Sequence, residues 1–110
     1  MWPEGQPRVK VDWKQGSMFV PPNQWFHQHF NTGTSPARYL AFKHEVVSIR
    51  NAQGVPKAWI SRRIGGDQID YADESQLVRN RFTQALSTHG LAPKMQEAYE
   101  TELASLPAKS

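Results

Sequence analysis

The hydrophobic period of this chain changes once, near Gly65-Gly66, and that change limits the fold more than any other feature. Before it, Val9, Val11 and Trp13 alternate with Arg8, Lys10, Asp12 and Lys14, the period-two mark of a half-buried strand. Gly16 follows as a turn, and Met18-Phe19-Val20 is a short apolar strand stopped by Pro21-Pro22. The cluster Asn31-Thr-Gly-Thr-Ser-Pro36 reads as a turn. Arg38-Tyr-Leu-Ala-Phe-Lys43 then forms another strand, with Leu40 and Phe42 on one face. Beyond it Asn51-Ala-Gln-Gly54 with Pro56 is a loop, and Trp59-Ile60 fits a short strand or a helical turn.

After the change, the acidic stretch Asp67–Glu74 leads into a different pattern. Leu77, Val78, Arg81, Phe82, Ala85, Leu86 and His89 share one helical face. Asp73 or Ser75 suits the cap at its start and Gly90 the C′ position at its end. A second helix opens near Pro93, carries Met95, Tyr99 and Leu103, and stops before Pro107. The expected organisation is a β part over residues 1–66 and an acidic loop with a helical extension packed on it over residues 67–110.

Composition narrows the function classes. A chain of 110 residues with 38% hydrophobic and 21% charged residues has the size and balance of one soluble domain. The net charge is +3, but the basic residues are scattered and only Arg62-Arg63 are adjacent. Nucleic-acid binding, which needs a concentrated basic stripe, is not expected. There is no cysteine, hence neither a disulfide framework nor a thiolate metal site. No apolar run approaches membrane length, and MWPEGQPRVK lacks the apolar core of a signal peptide. The expectation is a cytoplasmic protein with no membrane partner.

The stretch PPNQWFHQHFN, residues 21–31, carries the chemistry. On a strand, Trp25, His27, His29 and Asn31 point one way and Phe26, Gln28 and Phe30 the other. Two imidazoles on one face read either as polar residues lining an aromatic cavity or as part of a metal site. Written from Gly16 to Asn31, the sequence is G-x5-P-x-Q-x2-H-x3-N, through Pro22, Gln24 and His27. This resembles the second conserved motif of the cupin superfamily, G-x5-P-x-G-x2-H-x3-N, and the likeness covers residues 8–44. The departure is Gln24 where the family has glycine. A glycine there supplies a positive φ, a role that Asn23 is placed to take over.

The resemblance implies an antiparallel β-sandwich or barrel with His27 as a metal ligand. It also implies chemistry like that of non-haem iron dioxygenases on a small molecule, with Fe, Mn or Zn as the divalent metal. His29 is the less secure second ligand, and Trp25 and Asn31 line the pocket. The family's first motif, G-x5-H-x-H-x3,4-E-x6-G, does not fit this pair, because Pro21 stands at its glycine and Gly33 and Thr34 at its glutamate. The chain is therefore expected to be a mainly β, cupin-like fold incomplete on its N-terminal side and followed by two helices. An open sheet edge predicts a homodimer or larger homo-oligomer. The alternative is a non-catalytic cupin-like module for small-molecule binding or oligomerisation.

Other groups have plainer readings. His44-Glu45 suits an imidazole–carboxylate pair or an exposed strand end. Asp67, Asp70, Asp73 and Glu74 lack calcium-loop spacing, and Asp73 and Glu74 suit the positive end of the following helix. Arg62-Arg63 reads as a solvated loop, with capture of a substrate carboxylate as the sharper alternative.

Overall fold

The computed structural model describes residues 1–42 and 49–109. The chain divides into two compact units, Met1–Asn31 and Thr32–Ser110.

The first unit is extended chain pinned at single residues. Met1 and Val9 exchange backbone hydrogen bonds, Val9 donating to the Met1 carbonyl at 2.8 Å and the Met1 ammonium to the Val9 carbonyl at 2.8 Å. Trp2 and Phe26 exchange a second pair, each 2.9 Å. Their rings pack with centroids 5.7 Å apart, and the Arg8 guanidinium lies 4.6 Å over the Trp2 ring. Such cation–aromatic contacts are worth about 0.5–1 kcal/mol near solvent. Tight turns join the pieces. Ser17 donates to the Lys14 carbonyl at 2.9 Å while its hydroxyl accepts from the Lys14 amide at 2.9 Å.

The turn Pro22–Trp25, closed by the Trp25 amide on the Pro22 carbonyl at 3.1 Å, carries the resemblance's departure. Gln24 itself adopts the left-handed conformation, φ 64°, and among the described residues it is the non-glycine that does so. Asn23 does not take over that role. A positive φ at the third position of a turn is the type II geometry, which favours glycine because a side chain there costs about 1 kcal/mol or more.

The mainly β expectation fails. Among the described residues there is no β-strand, and pairing is confined to the isolated bridges Trp2–Phe26, Arg50–Pro56 and Ser61–Gln68. The sandwich or barrel, and with it a sheet left incomplete on one side, is absent. Alternation along a segment specifies which residues share a face, but a strand exists only where a neighbour supplies a ladder of hydrogen bonds. Segments 8–14, 18–20 and 38–42 find no such neighbour among the described residues. Apart from Trp13 and Phe19, which are half-buried, their apolar residues stay in solvent instead. Val9 is 49% exposed, Val11 38%, Met18 91% and Val20 82%, and Leu40 and Phe42 are also exposed.

The second unit includes a loop organised by Asn51, whose side-chain oxygen accepts from the amides of Gln53 at 3.0 Å and Val55 at 2.8 Å. This is the local bonding that makes asparagine a turn residue. Short 3₁₀ turns follow at Lys57–Trp59, Arg62–Ile64 and Tyr71–Asp73. Gly66 passes against Ile60, where any β-carbon would collide with the Ile60 carbonyl and side chain.

The helices are α1, Gln76–Ser87, and α2, Gln96–Ser105. The Ser75 carbonyl accepts from Val78 and Arg79 at the start of α1, but its hydroxyl makes no cap bond. At the other end, Leu91 donates to Leu86 and Gly90 to Ser87, each 3.0 Å, with Gly90 at φ 68°. That is the Schellman arrangement, and it places glycine where a β-carbon is penalised. Leu86, 5% exposed, is the buried apolar side chain of α1. Among those residues, no helix is long and apolar enough to cross a membrane.

Candidate functional site

In the first unit, the turn at Gln24 delivers Trp25 to Asn31 as extended chain, and His27 and His29 stand on one side of it. Their rings meet edge to face with centroids 5.6 Å apart. His29 is edge-on to Trp13 at 6.5 Å and tilted against Phe19 at 6.0 Å. The Nδ1 of His27 lies 3.3 Å from the Trp25 carbonyl. That oxygen can only accept, so the contact assigns the proton to Nδ1 and leaves Nε2 as the open nitrogen.

Partial desolvation by these rings lowers the His29 pKa below 6.5, and the neighbouring His27 and the terminal ammonium lower it further. His29 is therefore neutral at pH 7. His27, His29 and Asn31 remain exposed, and Trp25 is half-buried. The four residues expected to share a site are thus neighbours on one stretch, but they line a surface and not the inside of a barrel.

The metal-binding expectation rests on the same pair. Among the described residues, no group of three or more His, Cys, Asp or Glu side chains is arranged to hold a metal ion. Two imidazole nitrogens fall short of the three or four protein ligands that Fe, Mn or Zn sites use. Nothing in this arrangement supports dioxygenase chemistry. His44 and Glu45 lie outside the described residues.

The second unit holds a charge network that local sequence patterns do not announce. Arg63 grips Asp73 through two parallel bonds of 2.6 and 2.9 Å and donates its third group to the Pro107 carbonyl at 2.9 Å. Lys109 pairs with the same aspartate at 3.0 Å. Arg63 is accordingly neither a solvated loop residue nor open to a substrate carboxylate. Its hydrogen bonds hold the Asp73 carboxyl well below the usual carboxylate range.

Asp73 and Glu74 lie before the first turn of α1, and their carboxylates are engaged by Arg63, Lys109 and Tyr99. Glu74, whose side chain is 5% exposed, accepts the Tyr99 hydroxyl at 3.1 Å and faces the Arg79 Nε at 3.9 Å. Arg79 lies 3.9 Å over the Tyr99 ring and donates to the Tyr71 and Ala72 carbonyls. Glu102 accepts the Ala72 amide at 2.7 Å, which ties α2 to the Tyr71–Asp73 turn. Asp70, buried, accepts the Ser61 hydroxyl at 2.5 Å. The Arg63–Asp73, Tyr99–Glu74 and Ala72–Glu102 contacts join residues 10, 25 and 30 positions apart. The network organises the unit, and its buried Arg79 Nε faces Glu74 without a hydrogen bond.

Comparison of the chain with protein-family models, curated proteins and solved structures returns no match.

Proposed function

We propose that the protein is a non-catalytic association module, and that its first unit binds a second copy of the chain. The observation that carries this reading is the exposure of Val9, Val11, Met18 and Val20 along extended chain. Single exposed apolar side chains are ordinary, but four within twelve residues of a small unit are an unburied surface of the kind that association removes from water. At about 25 cal/mol per Å² of apolar area, covering such side chains contributes several kcal/mol, offset in part by the entropy lost on association.

A metal-dependent reaction is the competing reading of the histidine pair. It needs a ligand beyond His27 and His29, whereas association needs nothing beyond the exposed residues. A small-molecule site is likewise less favoured, because His27, His29 and Asn31 face solvent.

Sedimentation velocity over a micromolar to millimolar range tests the proposal. The expected result is a mass-average that rises with concentration toward the dimer. A monomer at every concentration overturns it.

A further inference from the structure

The residues around Val11 carry a pattern that matches its own reverse. The Lys10 ammonium pairs with the Asp12 carboxylate at 2.7 Å, both side chains largely exposed, at 70% and 84%. A contact between residues two apart puts both on one face with Val11 on the other, as extended chain requires. The backbone bonds of Val9 both run to Met1. In extended chain the N–H and C=O groups of successive residues point to opposite edges, so those of Lys10 and Asp12 point away from Met1. Among the described residues, no hydrogen bond engages the backbone of Lys10, Val11 or Asp12. This edge is open, short and bounded. Arg8 is drawn onto the Trp2 ring at one end, and Lys14 is closed into the turn with Ser17 at the other.

Resting on the association reading above, we infer that two copies pair antiparallel along this edge, centred on Val11 opposite Val11. In that register Lys10 of each copy stands opposite Asp12 of the other, as a hydrogen-bonded pair on the open edge. Val9 stands opposite Trp13 on the other face. Opposite charges directly across a strand pair are favourable and like charges unfavourable. The charge pattern also selects this register. Sliding by two residues in either direction sets Lys10 against Lys10 or Asp12 against Asp12. Val11 against Val11 is a pair without mutual hydrogen bonds, in which the β-carbons come closest. The occupant of the edge is thus a second copy of this chain, chosen by charge and by the exposed valines together.

The test uses the full chain and two charge reversals, Lys10→Asp and Asp12→Lys. Each makes both cross-strand pairs like-charged, and each is expected to weaken self-association about tenfold. Mixed together, the two variants have complementary charges only between chains, because within each chain positions 10 and 12 stay alike. Native mass spectrometry of the mixture is expected to show the mixed dimer in excess of either self-dimer. Val11→Cys, the sole cysteine in such a chain, is expected to give a disulfide-linked dimer under mild oxidation far faster than Met18→Cys. If the wild-type chain associates but the mixture shows no preference and Val11→Cys links no faster, this register is wrong while the association reading stands. If the wild-type chain remains monomeric, both fail.

Discussion

Replacing Tyr99 by Phe removes one oxygen from the network that joins α2 to the segment before α1. The hydroxyl donates to Glu74 at 3.1 Å, and the Glu74 side chain is 5% exposed. Phenylalanine keeps the ring under the Arg79 guanidinium, 3.9 Å away, so neither a cavity nor the loss of that stacking contributes. A hydrogen bond to a charged group is worth about 1.5–3 kcal/mol, and this one is only partly buried, which favours about 1.5. Arg79 does not replace it, because its Nε lies 3.9 Å from the carboxylate, beyond hydrogen-bonding distance. For a unit of this size the expected fall in melting temperature is about 5–10 °C, measured by far-UV circular dichroism of the two helices.

The variant also carries a pH signature. Desolvation, and then the Glu74 hydrogen bond, raise the Tyr99 pKa above 10.0. The folded state therefore holds this proton more tightly than the unfolded state. The stabilisation is complete below the unfolded pKa and is lost as pH rises through the folded one. Wild type should lose its margin over Tyr99→Phe in alkaline solution. A melting temperature within 1 °C of wild type at neutral pH, or an undiminished gap at alkaline pH, would refute the reasoning.

Three further outcomes follow from the geometry. Gly90→Ala forces a β-carbon into φ 68° at the end of α1 and should destabilise the second unit by about 1 kcal/mol in denaturant titration. Gln24→Gly should leave the first unit within about 0.5 kcal/mol of wild type, since relief at φ 64° is offset by glycine's greater unfolded freedom. Gln24→Val should cost about 1–2 kcal/mol, both read from tryptophan fluorescence. The His29 C2 proton should titrate in NMR with a midpoint below 6.5. With its folded pKa depressed, His29 contributes stability that is present above the unfolded pKa and lost as pH falls through the folded one.

The helices were legible because their signals are local. The period of Leu77 to Leu86 and the glycine at position 90 lie within one element, and α1 ends in the Schellman bonds that Gly90 permits. The extended half was legible only in part. Alternation identified Val9 and Val11 as face-mates and Lys10 and Asp12 as theirs, and the Lys10–Asp12 contact agrees with that. It did not say whether a ladder exists, because pairing depends on a neighbour that the segment's own sequence does not name.

The site divides in the same way. His27 and His29 do stand ring to ring, but period two cannot distinguish the inside of a barrel from an exposed surface. The turn shows the limit of a motif match, since Gln24 takes the left-handed conformation directly and Asn23 does not. Arg63 with Asp73 and Tyr99 with Glu74 left no local trace, because polar residues 10 and 25 positions apart find each other only through the fold.

Hydrogen exchange of the amides of Lys10 and Asp12, followed as the protein is concentrated, tests association through the first unit most directly. Among the described residues neither amide has a hydrogen-bond acceptor, and both should exchange freely in dilute solution. They are expected to become protected together as the dimer forms, while the Val9 amide, already bonded to Met1, changes little. Equal exchange at Lys10 and Asp12 at every concentration, in a chain that stays monomeric, would contradict it.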